Sequence, residues 1–172
     1  MIKISDSFSG SVSAADELRE VYDFVRSVLG DDIITFEQYA DMHRANPNVS
    51  HNIRRLSDNQ MYGFLSFSFL SASDLEKLEA QTLRTMDLTG ENQVGPDEIP
   101  ACVYLGAIGA IEDKDARRAT MQYYGQRMTD YAQRFECSFL IRPVTEHGMK
   151  IAVSEGYQPM HEAGLEQLYI LR

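Results

Sequence analysis

The chain has 172 residues, 44% hydrophobic and 24% charged, and a net charge of −10. That length suits a single domain, spanning 1–172, with a sizeable core, and the acidic balance argues against sequence-independent binding to nucleic acid, whose phosphates demand a basic face. No run approaches the ~18 apolar residues of a membrane span, and "MIKISDSFSG" lacks an apolar stretch after a basic start, so neither membrane insertion nor secretion is expected and the chain reads as cytoplasmic.

"MIKIS" reads as a short strand with Ile2 and Ile4 on one face. "SAADELREVYDFVRSVLG" places Leu18, Val21, Tyr22, Val25, Val28 and Leu29 at helical spacing, with Gly30 as the stop. Thr35 and Gln38 form the capping-box pattern of a second helix, with Phe36, Tyr39 and Ala40 as its inner face and "NPN" as its end. "SHNIRRL" and "MYGFLSFSFL" then read as two strands of a hairpin around "SDNQ". In "SASDLEKLEAQTLRTM", Ser73 and Glu76 suggest the cap of a third helix, and Leu75, Leu78, Leu83 and Met86 its buried side. "DLTGENQVGPDEIP", rich in Gly, Pro and acids, reads as an exposed and flexible loop.

"ACVYLGAIGAI" has the continuous apolar character of a central strand covered on both faces. Its glycines, Gly106 and Gly109, weaken a strand unless something approaches closely. A long helix follows, with Met121, Tyr124, Met128, Tyr131 and Phe135 stepping by three and four. "CSFLIRPV" is a buried strand stopped by Pro143, and "EHGMKIAVSEGY" a short helix ended by Gly156. "YQPMHE", a turn at Gly164 and "LEQLYILR" make a closing hairpin. The order β-α-α-β-β-α-β-α-β-α-β-β predicts an α/β fold: a mixed, mostly antiparallel central sheet flanked by helices.

Metal chemistry has no pattern to rest on. Cys102 and Cys137 read as small buried hydrophobes, and His43, His51, His147 and His161 make no zinc spacing with them. A disulfide requires their strands to be neighbours, and a reducing compartment keeps both as thiols. Ser66, Ser68, Ser71 and Ser73 have no His–Asp arrangement nearby for a nucleophilic triad. One charge asymmetry stands out: Lys114, Arg117, Arg118, Arg127, Arg134 and Arg142 gather six of the 16 basic residues in one segment. Tyr123, Tyr124 and Tyr131 in the same segment read as core.

This order of elements, and above all the run Val103–Tyr157 with its "FLIRPV" and "HGMKIAVSEGY", resembles the GCN5-related N-acetyltransferases (GNAT). The resemblance covers nearly the whole chain through weak motifs. It implies a splayed strand pair, Ala101–Ile111 beside Cys137–Val144, opening a cleft for acyl-CoA. Backbone groups of Ala110 and Ile111 would meet the pantetheine arm, and the start of the long helix, Ala119 and Thr120 included, would hold the pyrophosphate. Helix N-termini attract anions on general grounds, and Lys114, Arg117 and Arg118 would add charge. The implied cosubstrate is acetyl-CoA, with no metal. The implied partner is a small-molecule or protein amine. Dimers are common in the family, so a homodimer is compatible, though no exposed apolar stripe demands one.

The sequence departs from the family in two places. Its loop pattern, Arg or Gln, two residues, Gly, one residue, then Gly or Ala, falls here on Ala116, Ala119 and Met121, without either glycine. Asp113 and Asp115 add negative charge beside it. The tyrosine that many members place four residues before the Gly-aromatic pair is Ala152 here. Glu112 and His147 are candidate general bases by placement. Two readings follow: an N-acyltransferase moving acetyl from acetyl-CoA to an amine, or an inactive GNAT-like binding or structural module, such as a bacteriophage accessory or virion protein, with a protein partner. The acidic surface suits a cationic acceptor, with Asp97 and Glu98 lining its entry.

Overall fold

The computed structural model describes residues 1–161 and 166–172, apart from the His147 side chain. The expected turn at Gly164 lies outside them. Eight strands form one sheet in the order β1-β2-β3-β4-β5-β6-β8-β7. They are β1 (Ile2–Lys3), β2 (Phe8–Val12), β3 (Ser50–Arg55), β4 (Met61–Leu70), β5 (Cys102–Ala110), β6 (Ser138–Ile141), β7 (Gln158–Pro159) and β8 (Tyr169–Leu171). Every pairing is antiparallel except β5 with β6. The helices are α1 (Leu18–Leu29), α2 (Phe36–Ala45), α3 (Ala72–Glu79), α4 (Lys114–Arg134) and α5 (Glu146–Ser154).

The local signals place α1 and α2 well. Gly30, at φ 86, ends α1 as the predicted stop, and Thr35 accepts from the Gln38 amide while Gln38 reaches back, completing the capping box. On that face of the sheet, Phe24 packs on Phe64 and Tyr22 on Phe36, with ring centroids 6.0 and 5.5 Å apart. The face is tied by a buried relay in which Tyr39 Oη donates to Ser50 Oγ at 2.6 Å, and Ser50 Oγ to Ser13 Oγ at 2.8 Å.

The opposite face is covered by α4. Its buried stripe is Ala116, Ala119, Thr120, Tyr123, Tyr124 and Tyr131, whereas Met121 and Met128 are only half-buried. Tyr131 stands edge-on to Phe67 and Phe69, each with centroids 5.3 Å away. His51, fully buried, accepts at Nδ1 from Tyr123 Oη and donates from Nε2 to the Asn48 carbonyl, both at 3.0 Å. The carbonyl can only accept, which fixes the tautomer.

Four expectations need correction. Strand β2 is an addition to the expected order: Phe8, Ser9 and Gly10 of its "FSGSV" are buried, because the strand pairs with β3 and Gly10 lies under the Tyr123 ring. Helix α3 is capped by Ser71, which accepts from Asp74 N–H at 3.1 Å, rather than by Ser73, and it ends at Glu79 instead of running on to Met86. The segment 87–100 is anchored. Leu88 is 1% exposed, Asn92 donates to Asp74, and Gln93 accepts from the Phe69 amide. Finally, β5 is buried on both faces only over Cys102–Tyr104, and its second half is open.

Candidate functional site

The open half of β5 is where the sheet divides. Parallel pairing of β5 with β6 runs from Cys102–Ser138 to Leu105–Ile141 and stops. Beyond it, β5 stays paired with β4 as far as Ala110. Among the described residues, the edge of β5 that faced β6 therefore has no strand partner from Gly106 to Ala110. Its amide and carbonyl groups must find partners elsewhere, in water or in an extended ligand. Past β6, Pro143, Val144, Thr145, Glu146, Met149 and Lys150 wall an open hollow of about 470 Å³.

The division begins at a bulge. Ser66 pairs with Ala107 and Phe67 with Leu105, so Gly106 is an extra residue on β5. A Cβ at Gly106 would meet nothing nearer than 3.6 Å, the distance to the Ser66 carbonyl and to the Tyr104 ring. Gly109 differs: a Cβ there would stand 2.8 Å from the Phe64 ring and 3.2 Å from Val28. The close approach expected of both glycines is thus internal packing at Gly109, while Gly106 opens beside the cleft.

Next to the bulge lies a polar cluster. Glu166 accepts from the Thr85 amide at 2.7 Å, the Thr85 hydroxyl at 2.9 Å and Arg142 Nη1 at 2.9 Å. Burial pushes the Tyr104 phenol up, against hydrogen bonding with Thr85. Arg142 was visible in the sequence as part of the basic segment. Thr85 and Glu166 carried no signal, since their contact joins residues 81 positions apart.

At the other end of the cleft, only Ile111, Glu112 and Asp113 separate β5 from α4. Asp113 is the N-cap: its Oδ1 accepts from Ala116 N–H at 2.7 Å and its carbonyl from Arg117 N–H at 3.0 Å. Ile111 donates its amide to the Tyr62 carbonyl and accepts from Asp113 N–H. Of the candidate cofactor residues, Ala110 ends the free edge. Lys114, Arg117 and Arg118 lie on the exposed first turn of α4, and Ala119 and Thr120 are turned into the core. Arg117 lies 3.8 Å from Glu112, and Arg118 3.9 Å from Asp115.

Glu112, its side chain 98% exposed, follows the end of β5, and His147 is the second residue of α5. Ala152 is fully buried, so α5 offers a methyl group to the core where an acid was sought. Asp97 and Glu98 do not line the cleft. They precede β5, beside the C-terminal end of α4, where Arg134 donates to the Pro96 carbonyl at 3.1 Å. Both cysteines are free thiols although their strands are neighbours, and burial pushes both upward. Among the described residues no group of three metal-ligating side chains occurs, and no helix is long and apolar enough to cross a membrane.

No family model and no curated protein matches the chain. Solved structures do. The loading GNATL domain of CurA from Lyngbya majuscula matches with a TM-score of 0.65 at 9% identity, over 96% of this chain and 97% of that one. Arabidopsis thaliana Naa50, in complex with the bisubstrate analogue CoA-Ac-MVNAL, gives 0.58 at 10%, over 96% and 99%. An acetyl transferase from Salmonella typhimurium that modifies the N-terminal serine of ribosomal protein L7/L12 gives 0.56 at 14%, over 99% and 97%. Identities this low speak to architecture, and the architecture is consistent: the chain carries the fold of the GCN5-related N-acetyltransferases.

Proposed function

We propose that the protein is an N-acyltransferase, moving an acetyl group from an acetyl thioester such as acetyl-CoA to an amine. The observation that carries this reading is the edge of β5 from Gly106 to Ala110, unpaired among the described residues and opening where β6 ends. An extended pantetheine arm has amides spaced to pair with such an edge, as an added strand would. Neighbours of the same fold include a complex with a CoA-bearing analogue, which supports the choice of donor.

In this reaction the neutral amine attacks the thioester carbonyl. The C–N bond forms, the C–S bond breaks, and the thiolate leaves with the electron pair. A backbone N–H of the free edge steadies the oxyanion. The amine's proton passes through water, with Glu112 or His147 as the candidate acceptors. Ala152 supplies no acid, so the thiolate takes its proton from solvent.

A second reading, an inactive binding module, is favoured by one observation: the Asp113 carboxylate fills the helix start that the family uses for phosphate. Thiol release from acetyl-CoA separates the two. With a panel of polyamines, lysine peptides and N-terminal peptides, amine-dependent release supports the transferase. Absence of release with every amine at millimolar donor, and of calorimetric heat with donor alone, leaves the binding module.

A further inference from the structure

Asp113 organises the hydrogen bonding between β5 and α4. Asp113 satisfies Ala116 N–H with its carboxylate, Arg117 N–H with its carbonyl, and the Ile111 carbonyl with its own amide. Of these donors, Ala116 N–H belongs to the first turn that an anion at the start of α4 would use, and the carboxylate bound to it would repel such an anion. The local charge is likewise settled within the chain. Between Glu112 and Arg118 three acids stand among three bases, and Arg117 and Arg118 each lie within 4 Å of a carboxylate. Arg55, whose field reaches Asp113, is already paired with Asp58. This end of the cleft does not fit a diphosphate, whereas the β5 edge does fit an amide-bearing arm.

We infer that the protein recognises its acyl donor through the pantetheine arm alone and excludes the diphosphate at the start of α4 through the Asp113 carboxylate. The inference rests on the acyl-transfer reading and deepens it. The donor class it names is an acyl-pantetheine thioester whose far end contributes little, whether that end is a nucleotide or something else.

The test is calorimetric titration of the intact wild-type protein, Asp113→Asn and Asp113→Ser with acetyl-CoA, S-acetylpantetheine and inorganic pyrophosphate. Asn and Ser cap helices about as well as Asp, so both variants keep the helix start while losing the charge. Wild type is expected to bind the two thioesters within about threefold of each other and to give no heat with pyrophosphate; removing one like charge should tighten acetyl-CoA about tenfold in both variants, ~1.4 kcal/mol, and leave S-acetylpantetheine unchanged. Wild-type preference for acetyl-CoA of more than about thirtyfold, roughly 2 kcal/mol, or variants that leave its affinity unaltered, overturns the inference while the acyl-transfer reading stands. Failure of wild type and variants to bind either thioester overturns both together.

Discussion

Replacing each strand glycine of β5 by alanine separates packing from cleft. At Gly109 the new Cβ would sit 2.8 Å from two atoms of the Phe64 ring and 3.2 Å from Val28 Cγ1. Phe64 is fully buried and wedged against Phe24, so the ring can yield only by disturbing α1. Overpacking of this kind costs about 1–3 kcal/mol. Alanine otherwise gains roughly 0.5–1 kcal/mol over glycine in a strand interior, so the net expectation for Gly109→Ala is a loss of up to about 2.5 kcal/mol. For a chain of this size that lowers Tm by up to about 10 °C. Gly106→Ala meets nothing nearer than 3.6 Å, and its effect should stay within about 0.5 kcal/mol, the usual range for open sites. Thermal melts and urea titrations of the two variants provide the measurement. Equal destabilisation, or a larger loss at Gly106, would refute the assignment of Gly109 to the core and Gly106 to the cleft.

His51 supplies a pH test. Burial, with the field of Arg127 adding to it against the Asn48 hydrogen bond, holds its pKa down at about 3 against an ordinary 6.5. The unfolded chain therefore takes up a proton that the folded one refuses. Stability tied to His51 is full above pH 6.5 and falls as pH drops toward 3, by about 1.4 kcal/mol per unit well inside that window. Urea unfolding between pH 6.5 and 5 should show this slope in wild type and lose it in His51→Asn; parallel curves would count against a neutral buried His51. At α3, Ser71→Ala should cost about 1 kcal/mol and Ser73→Ala much less, since Ser71 is the N-cap. Chemical denaturation of both decides it, and the reverse order would place the cap at Ser73.

What the sequence disclosed is what neighbouring residues decide among themselves. The stop at Gly30 and the box at Thr35 and Gln38 need only a few consecutive positions, and both form as expected. Strand β2 failed to announce itself because its burial depends on β3 and on the Tyr123 ring, far along the chain. The 87–100 segment has the composition of a free loop, yet distant partners at Asp41, Asp74 and Phe69 hold it. The free edge of β5 was reachable only through the family resemblance, because no local pattern says where two strands part. Periodicity found Tyr124, Tyr131 and Phe135 of the long helix's buried side but not its small residues. Ala116, Ala119 and Thr120, which look neutral in the sequence, form the surface that lets the helix close on the sheet.

The two ends of the cleft lead to different conclusions, and the difference is physical. At the bulge, unpaired backbone is exposed beside Tyr104, Arg142 and a Glu166 whose oxygens are bound by three donors. An edge of bare amides and carbonyls in a sheet carries a standing cost unless something pairs with it. At the α4 end the situation differs: the Ala116 amide is already bound by the Asp113 carboxylate, and an incoming anion would meet a negative charge fixed to the same chain. On the proposed reading, the cleft is open where an acyl arm would lie and closed where a nucleotide diphosphate would. Any ligand that uses this site must match both conditions, and an extended thioester arm with a weakly anionic or distant terminus does so.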